Sequence, residues 1–429
     1  MIRKEFPALD EHYFEERLEN GLLVRVVEKP GFAKKYAFAA VDFGSNDMSF
    51  SFGGKEYRTP AGVAHYLEHK MFDLPEGSAM ELFAKYGGSN NAFTSYTMTA
   101  YYVECTEQFE ENLSVLLRMV TTPYFTDESV EKEQGIIAQE IRMYDDSADS
   151  AVQEKLLAAM YENHPIRVPI AGTVESIKEI TAETLYDCFR AFYDPSNLML
   201  CVIGDVNAAE VIEQVRRQTP ASCGIRPVRI YGAPEEPTCP EKKVTGKMEV
   251  SMPTFSIGFK CDVPEWGMAG VRTEFAAMLA SEVLIGESSP LYTKLYDAGV
   301  IDGDFSVEYE SMRGASMLIV SGDSEEPERV LEEMLSEAAR LAAEGVDEAM
   351  FRRLRKSALG RRLRDLDGFE TTCYRMCAYE FEGAEYYDYP AAFDAVTKQD
   401  VELFLRNFVT KERAAISIIE PKEEIESCT

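Results

Sequence analysis

Two of the chain's four histidines, His65 and His69, lie four positions apart in the stretch AGVAHYLEHKMF, and Glu68 directly precedes the second one. This stretch is predicted to be helical, because Thr59 is a suitable N-cap and Pro60 suits the first helical position. Residues four apart are separated by about 40° around a helix axis, and Glu68 lies about 60° to the other side of His65. The three side chains are therefore expected on one face of the helix.

These residue types could perform metal chemistry. Two neutral imidazoles at this spacing can hold a zinc ion through their ring nitrogens, and an adjacent glutamate can act as a general base on water. The alternative is a pair of surface histidines with no ligand. Apolar residues on the other side of the helix, such as Leu67 and Phe72, indicate that the helix is packed, and a packed histidine needs a polar partner.

A third ligand is expected elsewhere, since catalytic zinc usually takes three protein ligands. The stretch DESVEKEQGIIAQEIRMYDD (127–146) is predicted to be a helix in which Glu133 and Glu140 lie seven residues apart, two turns along one face. One interpretation is a solvated acidic face. The other is that Glu140, which has isoleucine and methionine neighbours, needs a cation, because an unpaired carboxylate in apolar surroundings is costly.

These stretches resemble the inverzincin zinc peptidases, the family that includes insulin-degrading enzyme, pitrilysin and the mitochondrial processing peptidase; the chain looks like the bacterial two-domain type. HYLEH is similar to the family's zinc helix, which implies His65 and His69 as ligands of one Zn²⁺ per chain and Glu68 as the catalytic base. EQGIIAQE resembles the family's downstream helix, which implies Glu140 as the third ligand and Glu133 as a further active-site carboxylate.

Two other stretches carry the same resemblance. GGSNNAFTSYTMTAYY looks like the family's substrate-binding edge strand, which implies that a peptide binds as an added strand beside Asn91, Ala92, Phe93 and Thr94. HPIRVPIAGTVESIKEIT is similar to a segment that closes the family's first domain, where His164 is expected to be structural. The resemblance implies a zinc-dependent endopeptidase of broad side-chain selectivity.

The sequence departs from the family where the oxyanion of the reaction is stabilised. Active relatives supply an Arg and a Tyr in a pattern like L-R-x-x-x-x-G-x-x-Y, whereas KLYDAGVID (294–302) has Tyr296 at the Arg position and Asp302 near the Tyr position. The second half of the chain also lacks H-x-x-E-H. We therefore expect a dimer that encloses the peptide substrate, in which a related partner subunit supplies the Arg/Tyr pair.

The chain divides into two similar halves. QTPASCGIRPVRIYGAPEEPTCPEKKVTG is rich in Pro and Gly and lacks helix or strand periodicity, which indicates a linker. Residues 180–204 and 396–420 align without a gap, each with a capping Thr, an amphipathic helix and an apolar strand. We predict an N-terminal zinc-binding catalytic domain at 1–218, a linker at 219–245 and a homologous non-catalytic domain at 246–429.

Strands and helices alternate irregularly within the first half. LLVRVV, YAFAAVDFG and the Thr-, Tyr- and Phe-rich NAFTSYTMTAYYVEC indicate strands, the last of them a strand pair. Long amphipathic helices lie between and after them. This pattern predicts an α+β fold of two tandem homologous domains, each a mainly antiparallel sheet covered by helices on one face, as in the LuxS and processing-peptidase type.

Composition excludes several classes of protein. A chain of 429 residues with 45% apolar and 28% charged residues is globular and long enough for two or three domains. A net charge of −31 disfavours nucleic acid and anionic membrane surfaces as partners. The sequence shows neither a signal-peptide core nor a run of 18 apolar residues, and its nine cysteines lack paired spacing, so a cytoplasmic location is expected.

Other functions stay open. The chain could be a non-catalytic assembly subunit of a processing-peptidase-like complex, or a metal-binding protein without peptidase activity, and the missing Arg/Tyr pair favours the latter. The ligand types would also suit manganese or cobalt. Cys373 and Cys377, one helical turn apart, could bind a metal as well. FRRLRKSALGRRLRD (351–365) is either a helix face paired with neighbouring acids or a docking surface for an acidic partner.

Overall fold

The computed structural model describes residues 1–422 of the 429-residue chain. In chain order its strands are β1 (Ile2–Phe6), β2 (Glu11–Arg17), β3 (Leu23–Glu28), β4 (Lys35–Val41), β5 (Ser49–Phe52), β6 (Lys55–Arg58), β7 (Asp73–Leu74), β8 (Gly77–Ser78), β9 (Ser89–Thr94), β10 (Thr99–Cys105), β11 (Leu198–Gly204), β12 (Val228–Arg229), β13 (Lys243–Met248), β14 (Thr254–Lys260), β15 (Ser306–Met312), β16 (Ala315–Asp323) and β17 (Ala414–Pro421). Its α-helices are α1 (Val63–Lys70), α2 (Ala79–Lys85), α3 (Phe109–Thr121), α4 (Asp127–Asp145), α5 (Ala148–Met160), α6 (Ala182–Phe192), α7 (Ala208–Gln218), α8 (Met268–Ile285), α9 (Pro290–Asp297), α10 (Pro327–Glu344), α11 (Glu348–Arg364), α12 (Phe369–Phe381), α13 (Tyr389–Asp394) and α14 (Lys398–Phe408).

The chain forms two compact units. The first consists of Met1–Ile141, Pro169–Tyr231 and Leu363–Asp388. The second consists of Arg142–Val168, Gly232–Arg362 and, among the described residues, 389–422. Each unit thus contains a helix from the other half of the sequence, α12 in the first unit and α5 in the second. The domain boundaries at 218 and 246 stay a prediction.

The first unit is built on a seven-stranded sheet with the order β1-β2-β3-β11-β4-β10-β9. Its neighbouring strands are antiparallel except for β3 and β11, which are parallel. Strands β9 and β10 are the strand pair predicted from NAFTSYTMTAYYVEC. Because β9 is the last strand of the sheet, one of its edges faces no other strand of the described chain.

Both faces of this sheet are buried. Val24 and Leu200 point to one face, where they join α1, α3 and α6 in a single hydrophobic core. The other face lies against α12, where the sulfur of Met376 is 3.5 Å from that of Cys201. The prediction that helices cover only one face is therefore wrong. The second cover comes from residues far along the chain, which the pattern around the strands cannot reveal.

The second unit repeats the first in its strand order. Its five-stranded sheet runs β13-β17-β14-β16-β15, with β13 and β17 parallel, and so matches β3-β11-β4-β10-β9 position by position. Helix α5 packs against this sheet so closely that a Cβ at Gly258 would lie 2.2 Å from the Met160 sulfur. The predicted α+β fold with two homologous copies is confirmed.

The basic stretch forms α11, and several of its arginines pair with acids of the same unit. The pairs are Arg355 with Asp394, Arg361 with Glu282 and Arg362 with Glu274. These contacts agree with the interpretation of a helix face paired with neighbouring acids.

No helix of residues 1–422 is both long and apolar enough to cross a bilayer.

Arg25 is a buried charge that ties α12 to the first sheet. Its side chain is 2% exposed, its Nε donates to Glu15 at 2.8 Å, and its Nη2 donates to Glu380 at 2.5 Å. Glu385 lies 3.5 Å from the same nitrogen. Loss of one partner of such a pair is strongly destabilising, because the remaining charge stays shielded from water.

We expect Arg25→Met to lower the free energy of unfolding by about 3 kcal/mol, since Glu15 and Glu380 lose their buried cation. Arg17→Met is the matched control, because Arg17 pairs with the same Glu380 but is 52% exposed; its effect should stay below about 1 kcal/mol. Urea unfolding followed by circular dichroism measures both. Equal losses in the two variants would contradict this role of Arg25.

Candidate metal centre and active site

Helix α1, which carries both histidines, begins later than the sequence predicts. Thr59 and Pro60 lie outside it, and its first residue is Val63, with Gly62 as N-cap at a φ of 88°. Glycine adopts this left-handed conformation without strain. A Cβ at Gly62 would also lie 2.4 Å from the carbonyl oxygen of Ala171. The prediction of Thr59 as N-cap is therefore wrong, because close backbone packing sets the start of the helix.

Helices α1 and α4 bring His65, His69 and Glu140 together. Oε1 of Glu140 lies 3.5 Å from Nε2 of His65, and Oε2 of Glu140 lies 3.3 Å from Nε2 of His69. One ligand atom from each of the three residues lies within 4.8 Å of the other two. Elsewhere in residues 1–422, no three His, Cys, Asp or Glu side chains come this close, and Cys373 and Cys377 belong to no such group.

Both imidazole rings direct Nε2 toward the Glu140 carboxylate, and the two rings differ in the hydrogen bonding of their Nδ1 atoms. Nδ1 of His69 lies 3.0 Å from Oε1 of Glu133. A proton on Nδ1, donated to Glu133, leaves Nε2 with a free lone pair. Nδ1 of His65 is buried and has no hydrogen-bond partner in the described chain.

This donor set fits a divalent metal ion. Two imidazole nitrogens and one carboxylate oxygen form a ligand set used by catalytic zinc, with a position left for substrate. His65 is only 8% exposed, and one of its two ring nitrogens, Nδ1, has no hydrogen-bond partner among the described residues. A metal ion bound to Nε2 would give this buried polar ring a partner. A cation would also offset the negative charge of Glu68, Glu133 and Glu140 around the two rings.

Without a metal, the surroundings of His69 favour its protonated form. Burial opposes the charged imidazole, but hydrogen bonds to Glu133 and Glu140 outweigh it and raise the pKa of His69 to about 9. The same bond lowers the pKa of Glu133. Because a metal binds the neutral imidazole, this proton has to leave when an ion enters the site.

Glu68 has the surroundings of a general base. It is 8% exposed, and burial raises the pKa of its carboxyl group. The hydroxyl of Thr94 donates to Oε2 of Glu68 at 2.6 Å, which fixes the orientation of the carboxylate. A carboxyl group whose pKa is raised can accept and return a proton more readily near neutral pH.

The predicted substrate-binding residues lie along β9, the edge strand. The Ala92 amide donates to the side-chain oxygen of Asn91 at 2.9 Å. The Phe93 ring lies on the α12 side of the sheet, 5.9 Å from the ring of Tyr374. Thr94 instead contacts Glu68, which lies 26 residues earlier in the chain, and the sequence does not predict this contact. No local pattern signals it, since a Thr at the end of a strand is commonplace.

Two residues discussed above belong to the second unit. His164 is buried; its Nε2 donates to the Arg313 carbonyl at 2.8 Å, and its Nδ1 accepts from the Ile166 amide at 3.2 Å. Both ring nitrogens are thus occupied, in agreement with a structural role. Tyr296, at the position where relatives are expected to have Arg, is 53% exposed on α9 and stacks on Tyr292 with ring centroids 5.8 Å apart.

Two family models match the chain in sequence. The model described as insulinase (peptidase family M16) matches residues 53–174, and the model described as the peptidase M16 inactive domain matches residues 179–358. The chain belongs to peptidase family M16. The M16 insulinase model spans α1 and α4, whereas the inactive-domain model covers most of the second sheet.

Individual M16 relatives agree with this assignment. A Bacillus subtilis relative that carries the name zinc protease YmfH is 35% identical over 427 residues, which cover 97% of this chain and 99% of the relative. The crystal structure of an M16-like peptidase from Alicyclobacillus acidocaldarius has a TM-score of 0.93 at 32% identity, covering 98% of this chain and all of that one. Pitrilysin, at 19% identity and a TM-score of 0.77, shares the fold, and the match covers 46% of its chain.

In metal-free protein we expect His69 to titrate near pH 9, and Glu133→Gln to lower its pKa by about 1–3 pH units, because the carboxylate that stabilises the imidazolium is lost. Ring-proton NMR can follow the titration, since the chain has four histidines. Glu131→Gln, at an exposed position of the same helix, serves as control and should leave the titration unchanged. A His69 pKa that Glu133→Gln does not move would contradict the assigned contact.

Proposed function

We propose that the chain is a zinc-dependent endopeptidase in which His65, His69 and Glu140 bind one Zn²⁺ per chain. The observation that carries this proposal is the convergence of one ligand atom from each of these residues within 4.8 Å. The zinc protease names of relatives such as that of Bacillus subtilis support zinc over other divalent ions. Membership of peptidase family M16 supports peptide-bond hydrolysis as the reaction.

In this proposal the protein's own residues accept, hold and deliver the protons of the reaction. Zinc supplies a Lewis acid that polarises the scissile carbonyl and makes water more acidic. Glu68 accepts the proton of the attacking water and later delivers it to the leaving amine. Thr94 orients the Glu68 carboxylate by its hydrogen bond of 2.6 Å. Glu133 holds the proton of His69 on Nδ1, so that Nε2 is free to bind the ion.

The substrate would bind as an extended strand along the free edge of β9. Main-chain hydrogen bonds select an extended peptide and impose little side-chain preference, so we infer broad selectivity. The Ala92 amide is held by Asn91 in the free chain, and a peptide carbonyl would replace that side chain. The eight cysteines of residues 1–422 are all free thiols, which supports action in a reducing compartment such as the cytoplasm.

Glu68→Gln should reduce peptide cleavage by about 10²–10⁴-fold, because it removes the general base but leaves all three ligands. Zinc content, measured by mass spectrometry of the native protein, should stay at one ion per chain. Glu131→Gln should cleave at the wild-type rate, and a chelator should abolish activity until zinc is restored. Full cleavage by zinc-loaded Glu68→Gln would exclude Glu68 as the base.

We also propose that a second, related subunit completes the active site. KLYDAGVID offers Tyr296 and Asp302 where an Arg and a Tyr are expected, and neither replaces a cation. The chain corresponds to less than half of pitrilysin, which leaves room for a partner of similar size. The alternative, a metal-binding subunit without peptidase activity, is favoured by the same missing pair.

The partner proposal predicts weak cleavage by the isolated chain. Each absent oxyanion donor should reduce turnover by about 10²–10³-fold. Native mass spectrometry of the chain purified from its own cells should show a companion subunit, and adding that subunit should restore cleavage. Rapid turnover by a strict monomer would defeat the partner proposal but leave the metal site intact. No cleavage with the companion present would favour the non-catalytic alternative.

A further inference from the structure

Lys70 directly follows the second histidine, His69, and has no role in the proposed mechanism of hydrolysis. Its side chain is 1% exposed. Its ammonium group donates to the Asp73 carboxylate and, at 3.2 Å, to the carbonyl oxygen of Ser129. Lysine is rarely buried to this extent, because a charge removed from water must be compensated by partners. Its position therefore calls for a structural reason.

The carbonyl that Lys70 binds lies in the first turn of α4. Tyr66, one turn earlier on α1, donates its hydroxyl to the neighbouring carbonyl of Val130. Tyr66 is itself fully buried in the hydrophobic core. Two side chains of the histidine helix thus hold two consecutive carbonyl oxygens at the start of the carboxylate helix. These contacts form a clamp, Tyr66 and Lys70 of α1 against Ser129 and Val130 of α4.

The carboxylates of α4 lie further along the same helix than the two carbonyl oxygens of this clamp. Glu133 and Glu140 follow Ser129 by 4 and 11 residues, or about 6 and 16 Å along the helix axis. A continuous helix transmits an axial shift of its first turn to its later turns with little loss. Metal–ligand distances tolerate changes of only about 0.2 Å. A small slip at Ser129 would therefore misplace Glu140 relative to His65 and His69.

We propose that Lys70 is a positioning residue that fixes the axial position of α4 on α1 and thereby the geometry of the metal ligands. The inference rests on the proposed zinc site and adds to it a residue that touches neither metal nor substrate. It predicts that loss of Lys70 weakens zinc binding in a protein that is still folded. A role in stability alone predicts no such loss.

Lys260 provides a matched control for the loss of a buried lysine. It lies in the second unit, is 3% exposed, and donates to Glu235 at 2.7 Å and to the Met160 carbonyl at 3.0 Å. Like Lys70 it pairs with one carboxylate and one carbonyl oxygen. Because none of its partners belongs to α1 or α4, Lys260→Met should lower thermal stability without affecting the metal ligands.

The experiment measures the zinc dissociation constant of the full chain by competition with a chromophoric chelator, with circular dichroism as a check of folding. Lys70→Met should bind zinc about 10–100-fold more weakly than wild type. The visible absorption of its cobalt-substituted form should also shift, since the ligand geometry changes. Lys260→Met should keep the zinc dissociation constant within about twofold and the cobalt spectrum of wild type.

Zinc binding of wild-type strength by folded Lys70→Met would overturn the inference and leave the proposed ligands untouched. If Lys70→Met does not fold, Tyr66→Phe takes its place, because it removes only the hydroxyl that donates to Val130. This variant should also bind zinc more weakly than Lys260→Met, and equal binding would overturn the inference. If the wild-type protein binds no zinc, the proposed set of ligands is itself wrong.

Discussion

The contact between α1 and α4 is the constraint on which the candidate site depends. Helix α1 supplies two imidazoles, but its own glutamate points to Thr94. The carboxylate that approaches both Nε2 atoms comes from Glu140, 71 residues after His69. Neither helix forms a three-ligand group by itself. Whatever fixes the relative position of the two helices therefore also fixes the chemistry available at the site.

Several layers of the first unit hold this contact. The sheet provides a floor whose apolar side chains pack against both helices in one core. Gly62 lets α1 begin in close contact with the backbone near Ala171. The Lys70 and Tyr66 contacts then reach the first turn of α4. Arg25 and its acidic partners hold α12 on the far face, so that the strands behind the site are covered on both sides.

The sequence predicted features that repeat locally. The period of the helix places the two histidines on one face, and the high content of Thr, Tyr and Phe in NAFTSYTMTAYYVEC predicts β9 and β10. Residues 180–204 and 396–420, which align without a gap, contain β11 and β17, and these two strands occupy equivalent positions in the two sheets. Glu140 was singled out as a ligand because of its isoleucine neighbours, of which Ile137 is buried but Ile136 is 48% exposed.

Features that depend on distant contacts were not predictable in the same way. Thr59 and Pro60 form a plausible cap, but packing against residues more than 100 positions later moves the helix start to Val63. The cover of the first sheet by α12 comes from the opposite half of the chain. A signal for it existed in β11, LMLCVIG, whose apolar residues do not alternate, as in a strand buried on both faces. No pattern in the local sequence KMF (70–72) indicates that Lys70 is buried.

The proposed chemistry requires one metal ion that is held jointly by α1 and α4. The most direct measurement is anomalous diffraction at the zinc absorption edge from crystals of zinc-loaded protein. We expect one strong peak per chain, about 2.0–2.2 Å from Nε2 of His65, Nε2 of His69 and a carboxylate oxygen of Glu140. A peak at other residues, or Glu140 directed away from both histidines with no peak between them, would contradict it.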